Sequence, residues 1–136
     1  MSEVSIDTQS EIDVVDVTET VAEAFSGVGT GIGHIFTPHT TAAVIICEDD
    51  PNLHDDLRLV AREWLAGIGP FRHIRENNPN TVAHVLSAFA SAHVAVPVKD
   101  GALDLGTYQH VLLLDFDGPR TRRLRFQFVP SEPMER

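Results

Sequence analysis

The chain has 136 residues, 43% of them apolar, and its twenty acids against ten bases give a net charge of −10. That length and apolar content fit one folded domain over residues 1–136 and exclude disorder as the starting description. The diffuse negative charge excludes nucleic acid and anionic membranes as partners, and a lone cysteine, Cys47, excludes an internal disulfide or a cysteine-rich zinc cage.

Lys99 is the only lysine. Acid excess with almost no lysine reads as a halophilic surface, adapted to a high-salt cytoplasm. No apolar run approaches the ~20 residues of a membrane-spanning helix. The opening MSEVSIDTQSEIDVV has neither the basic nor the apolar block of a secretory signal, so a cytoplasmic location is expected.

In chain order, residues 2–9 and 11–17 alternate as strands and suit a hairpin. A short helix is predicted over 18–25, with Asp16/Glu19 and Thr20/Glu23 each spaced as a capping box. GVGTGIG (27–33) invites comparison with a phosphate loop. It lacks the Lys-Ser/Thr ending, and the helix precedes it, so it reads as a helix stop and flexible connection.

Residues 34–37 and 42–47 read as strands interrupted at Pro38. Asp50-Pro51-Asn52 opens a helix over 53–66, where Leu53, Leu57, Val60, Trp64 and Leu65 recur as one buried face. After a polar loop at 71–80, a second helix is predicted over 82–90, capped by Asn80 or Thr81. Strands follow at 93–98, 102–105, 108–116 and 122–129, with Asp100-Gly101 as a hairpin turn and residues 129–136 as a frayed tail. In RLRFQFV, Leu124, Phe126 and Phe128 share one face and Arg123, Arg125 and Gln127 the other. The fold class expected is α+β: a mostly antiparallel sheet curled into a barrel or sandwich, with two to three helices.

Seven histidines stand out in this length. His39, His73 and His84 lie in a strand start, a loop and a helix, while Glu48, Asp115 and Asp117 lie near strand ends. Converging from separate segments, such residues can build a three-ligand metal site with an open position. Each ring can equally be half-buried and satisfied by a backbone partner, and spacing leaves both open. His34, His54 and His93 are assigned to the second description. His84 sits near a helix start, where partial positive charge favours a neutral ring and an anionic guest. Arg120, on the DGPR turn, can clamp a phosphate or carboxylate, whereas Arg123 and Arg125 read as a solvated strand face. Cys47 borders carboxylates that oppose a thiolate, so it reads as a small buried residue. No GxSxG elbow supports serine hydrolysis.

Three stretches together resemble the YjbQ-like family. HTTAAVIICEDDP is similar to its His-Thr-Ser-Ala-Ser…Asn-Glu-Asn…Asp-Pro motif, and NPNTVAHVLSAF to its Asn-Ser-Asp-Ala-His-Ile-Lys-Ala-Ala-Leu. VPVKDGALDLGTYQHVLLLDFDGPRTRRLRFQ is similar to its Val-Pro-Val…Leu-Gly-Thr-Trp-Gln…Phe-Asp-Gly-Pro-Arg ending. The resemblance implies a small α+β homotrimer. It also implies activity of the secondary thiamine-phosphate synthase type, which joins a pyrimidine-methyl diphosphate to a thiazole phosphate and releases diphosphate. By position it singles out His39 and Thr40, Glu48, His73, His84, Gln109 and Arg120.

The reading that follows is a transferase acting on a phosphorylated small molecule. A divalent metal, zinc by ligand type, would sit on His39, His73 and His84. Glu48 would serve as general base or orienting group, Gln109 as a further catalytic residue, and Arg120 with Thr40 would hold the anion. Thr41, Cys47, Val82, Leu86 and Tyr108 depart from the family pattern, replacing serine, asparagine, aspartate, lysine and tryptophan. The lost amide, carboxylate and ammonium favour the rival reading, a non-catalytic metal- or metabolite-binding trimer with a degenerate pocket.

Overall fold

The computed structural model describes residues 2–74 and 79–131. Its elements are β1 (Ser2–Asp7), β2 (Asp13–Asp16), α1 (Thr18–Ala24), β3 (Gly31–Phe36), β4 (Ala42–Cys47), α2 (Pro51–Glu63), α3 (Thr81–Ala90), β5 (His93–Lys99), β6 (Ala102–Leu103), β7 (His110–Asp115) and β8 (Thr121–Pro130). Two antiparallel sheets form, ordered β1-β8-β3-β5-β6 and β2-β7-β4, giving the expected α+β class. None of the described helices is long and apolar enough to cross a membrane.

The three-stranded sheet is the middle layer. Val111 and Leu113 of β7 face the larger sheet and join Ile35, Val44, Val96, Leu124 and Phe126 in the main core. Leu112 and Leu114 face the other way, with Ala43 and Val14, toward Leu57 of α2 and Ala90 of α3. This explains the unbroken apolar run VLLL, since a strand buried on both faces does not alternate. Helix α1 and its C-cap supply Val21 and Phe25 to the main core, where the Phe25 and Phe126 rings meet edge to face at 5.8 Å.

Several expectations change. β1 and β2 form no hairpin; β1 pairs with β8 and β2 with β7, because each strand's inward residues are claimed by a different sheet. Neither predicted capping box forms the start of α1. Val17 is its N-cap without a side-chain hydrogen bond, and Asp16 accepts from the Thr18 amide instead. The predicted face of α2 is only partly covered. Val60 is 54% and Trp64 49% exposed, and Ala61 is the residue pressed into the interface. β8 runs through Pro130, and the Ser131 amide donates to Thr30 O at 3.0 Å, so the predicted tail is ordered at its start; residues 132–136 lie outside the described residues.

The glycine-rich stretch proves to be a packing element. Gly31 already begins β3, and the Gly101 amide donates to Gly29 O at 2.8 Å. Asp100 and Gly101 both take positive φ, 51° and 77°, as the predicted two-residue hairpin turn requires. A Cβ on Gly101 would lie 2.7 Å from Gly27 N, so this turn has no room for another residue.

Candidate functional site

One end of the β4–β7 pair carries a cleft of about 680 Å³, a volume suited to a small metabolite. It is walled by the 38–41 connection before β4, by Asn80 and His84 at the start of α3, and by the turn from Asp117 to Arg122. A buried ion pair holds these walls. Asp115 is 0% and Arg122 3% exposed. Arg122 donates to both carboxylate oxygens, from Nε at 3.0 Å and Nη2 at 2.6 Å. Thr8 Oγ1 and the Asp117 amide donate to the same carboxylate, and Arg122 Nη2 reaches Thr41 Oγ1 at 2.8 Å. Burial pushes the Asp115 carboxyl upward, but Arg122, Thr8 and the Asp117 amide outweigh it and hold it below its ordinary value. Arg122, to which the sequence assigned no role, shares the inward parity of Leu124 and Phe126, while Arg123 and Arg125 lie on the other face.

Gly118 is fixed by crowding. Its amide donates to Glu11 O, and an added Cβ would lie 2.3 Å from Ser10 O and 3.0 Å from Asp115 Oδ2. The turn thus passes close over the ion pair and presents Arg120 to the cleft. Arg120 is 48% exposed in its side chain and contacts Asp117 through Nε to the carbonyl (2.7 Å) and Nη2 to the carboxylate (3.2 Å).

His39 has a defined tautomer. Its Nε2 accepts the Arg123 amide at 3.0 Å, so the ring proton resides on Nδ1. Burial, then the charges of Arg122 and Arg123, hold this imidazole below its ordinary value against the attraction of Asp115. A neutral ring that offers an N–H results. His84 lines the same cleft, and its ring packs edge to face on His73 at 5.0 Å. The Thr81 hydroxyl donates to His73 O, so His73 Nδ1 donates to Thr81 Oγ1 at 3.1 Å. Asn80 makes no side-chain cap to α3, and its buried Oδ1 has no hydrogen-bond partner among the described residues.

His39, Thr40, His84 and Arg120 are therefore brought together, with His73 behind His84. Glu48 and Gln109 are not. β4 runs antiparallel to β7 with Ala42 opposite Asp115 and Cys47 opposite His110, which puts both residues at the far end of the pair. Six residues at ~3.4 Å each separate the ends by roughly 17 Å. Gln109 Oε1 already accepts the Gly106 amide at 2.8 Å, stapling its own turn.

The three histidines do not fit a shared metal ion within one subunit. The Nε2 lone pair of His39 is taken by an amide, and Nδ1 carries hydrogen. Among the described residues, the set of three ligand atoms lying within 4.8 Å of one another is Asp16, Asp49 and His110, which the sequence reading missed. Leu86, where the resemblance has a lysine, lies in the apolar cluster with Ala61 and Leu65. Cys47 is half-buried beside the Leu112–Leu114 cluster.

Comparison with known proteins places this geometry in context. The family described as "UPF0047 protein YjbQ-like" matches residues 2–131. A UPF0047 protein of Archaeoglobus fulgidus is 37% identical over 123 residues, covering 90% of this chain and 95% of that protein. UPF0047 protein YugU of Bacillus subtilis is 37% identical over 123 residues, covering 86% and 89%. Among solved structures, hypothetical protein APE1520 of Aeropyrum pernix K1 superposes with a TM-score of 0.87 at 33% identity, covering 96% of this chain and 98% of that one. An uncharacterized YjbQ/UPF0047 protein of Clostridium acetobutylicum gives 0.86 at 30% identity, covering 95% and 100%.

Proposed function

The chain belongs to the YjbQ-like UPF0047 family, and on that premise we propose that its cleft binds a small phosphorylated metabolite and supports a transfer of thiamine-phosphate-synthase type. The observation that carries this reading is the donor set on one wall. The half-exposed Arg120 lines the cleft together with Thr40, Thr41 and a neutral His39 that carries its proton on Nδ1. Such donors match phosphate oxygens. In the proposed reaction, Arg120 and His39 hydrogen-bond a diphosphate as it departs, stabilising charge that grows in the transition state. The unpartnered Asn80 Oδ1 suits an N–H or O–H donor on the same ligand. No step is assigned to a metal here, because the three histidines do not gather around one point.

Glu48 and Gln109 enter this reading through a homotrimer. Being roughly 17 Å from the cleft of their own subunit, they would serve the cleft of a neighbouring copy. Thiamine-phosphate-synthase assay of wild type, Arg120→Ala, His84→Ala and Glu48→Ala tests the proposal, with sedimentation to give the oligomeric state. Turnover should fall in all three variants. Mixed refolding of Glu48→Ala with Arg120→Ala should restore part of it if the site is shared between copies. Equal turnover in all four proteins removes these residues from the chemistry.

The rival, binding without turnover, draws on a specific feature. Asp115 and Asp117 already neutralise both guanidiniums at the cleft, which lowers the stabilisation they can give to a departing diphosphate. A thermal shift with inorganic diphosphate but no turnover would favour it.

A further inference from the structure

The opposite end of the β4–β7 pair brings together ligand types that the cleft does not use. Asp16 ends β2, Asp49 precedes α2 and His110 begins β7. One ligand atom from each lies within 4.8 Å of the other two. Tetrahedral bonds of ~2.0–2.2 Å to a common ion place donors ~3.3–3.6 Å apart, so side-chain rotations that move these atoms by up to about 1.5 Å would close the set.

The Asp16 carboxylate is already oriented. Asp16 Oδ1 accepts the amide and hydroxyl of Thr18, which leaves Oδ2 facing His110 Nδ1 at 3.1 Å. A carboxylate at that distance fixes the ring proton on Nδ1, the position an ion would take, with hydrogen moving to Nε2. His54 stands behind Asp49. His54 Nε2 is buried, makes no hydrogen bond among the described residues and lies 2.9 Å from Asp49 Oδ1, off the direction of an N–H bond. A small rotation of either group gives the imidazole-to-carboxylate contact that supports ligating carboxylates in metal sites.

We propose that Asp16, Asp49 and His110 form a site for one divalent transition-metal ion, tying the β2–α1 corner, the start of α2 and the start of β7 together. Two carboxylates and an imidazole suit Zn²⁺, Co²⁺ or Mn²⁺. The adjacent Glu48 and the chain's net charge of −10 add a field that attracts cations. Because the ion would bridge three elements of the folded chain, its binding would raise stability by mass action.

Calorimetric titration of the metal-free protein with Zn²⁺ and with Co²⁺ tests this, with the cobalt absorption spectrum and the melting temperature as further readouts. One equivalent should bind and raise the melting temperature. Asp49→Asn, Asp16→Asn and His110→Gln should each weaken binding by about tenfold or more, while His84→Gln and His93→Gln leave it unchanged. Three separate substitutions keep the result decisive if one variant fails to fold. Absence of binding by wild type at about 1 mM metal, a threshold of ~4 kcal/mol, overturns the proposal. So does loss of binding in His84→Gln, which would move the ion to the cleft, or in His93→Gln, which would move it to the exposed His34–His93 pair.

Discussion

At one end of the β4–β7 pair, Asp115 meets Arg122 in the dark; at the other, Asp16 meets His110 at the surface. Both are acid–base contacts near 3 Å. At the first end, every oxygen of Asp115 is engaged, by Arg122, Thr8 and the Asp117 amide. The pair acts as a scaffold that shapes the cleft and offers nothing to a ligand. At the second, side chains are about one-third exposed and one carboxylate oxygen has only an imidazole for company. Burial turns charge into architecture, and exposure leaves it open for exchange.

The largest test of that contrast is Asp115→Ala. It strands the Arg122 guanidinium in the interior and should cost about 3–5 kcal/mol in urea unfolding. The pH dependence follows from the depressed carboxyl. Its contribution is present above the ordinary value of 3.8 and is lost as pH falls through the lower folded value. Wild type should therefore lose stability on acidification below that range, and Asp115→Asn should flatten this part of the profile.

Gly118→Ala should come next, at about 1–3 kcal/mol, because the added methyl collides with backbone and with the ion pair. It should also weaken phosphate-dependent thermal shifts, since the turn carries Arg120. At the exposed end, Asp16→Ala removes contacts to Thr18 and His110, and should cost about 1 kcal/mol or less in the same assay. A loss as large as that of Asp115→Ala would break the comparison. Smallest is Glu3→Gln. Arg125 holds the Glu3 carboxyl below its ordinary value, yet the pair is half-exposed at the surface, and its unfolding midpoint should match wild type.

Much of the fold was readable because period and punctuation are local. The β8 alternation and the Asp100-Gly101 turn follow from side-chain parity and turn chemistry, while the two-sided burial of β7, for which only a strand was expected, is explained by its unbroken VLLL run. The pairing of β1 and β2 was not readable, since alternation marks a strand without naming its neighbour. Arg122 was readable in principle: it has the parity of Leu124 and Phe126, but a run of arginines masked it. In the cleft, His39, His84 and Arg120 stood out by residue type and position, and the motif resemblance selected them again. The separation of Glu48 and Gln109 follows from antiparallel register, which no motif records. The meeting of Asp16, Asp49 and His110 depends on three corners of the fold and leaves no spacing signature.

β7 has water on neither face and a hydrogen-bonded neighbour on each side. Its amides should consequently trade hydrogen for deuterium only when the whole molecule comes apart. That makes this one strand an internal clock: its exchange rate reports global opening, while the cleft turn and the hairpins report their own, faster, local excursions.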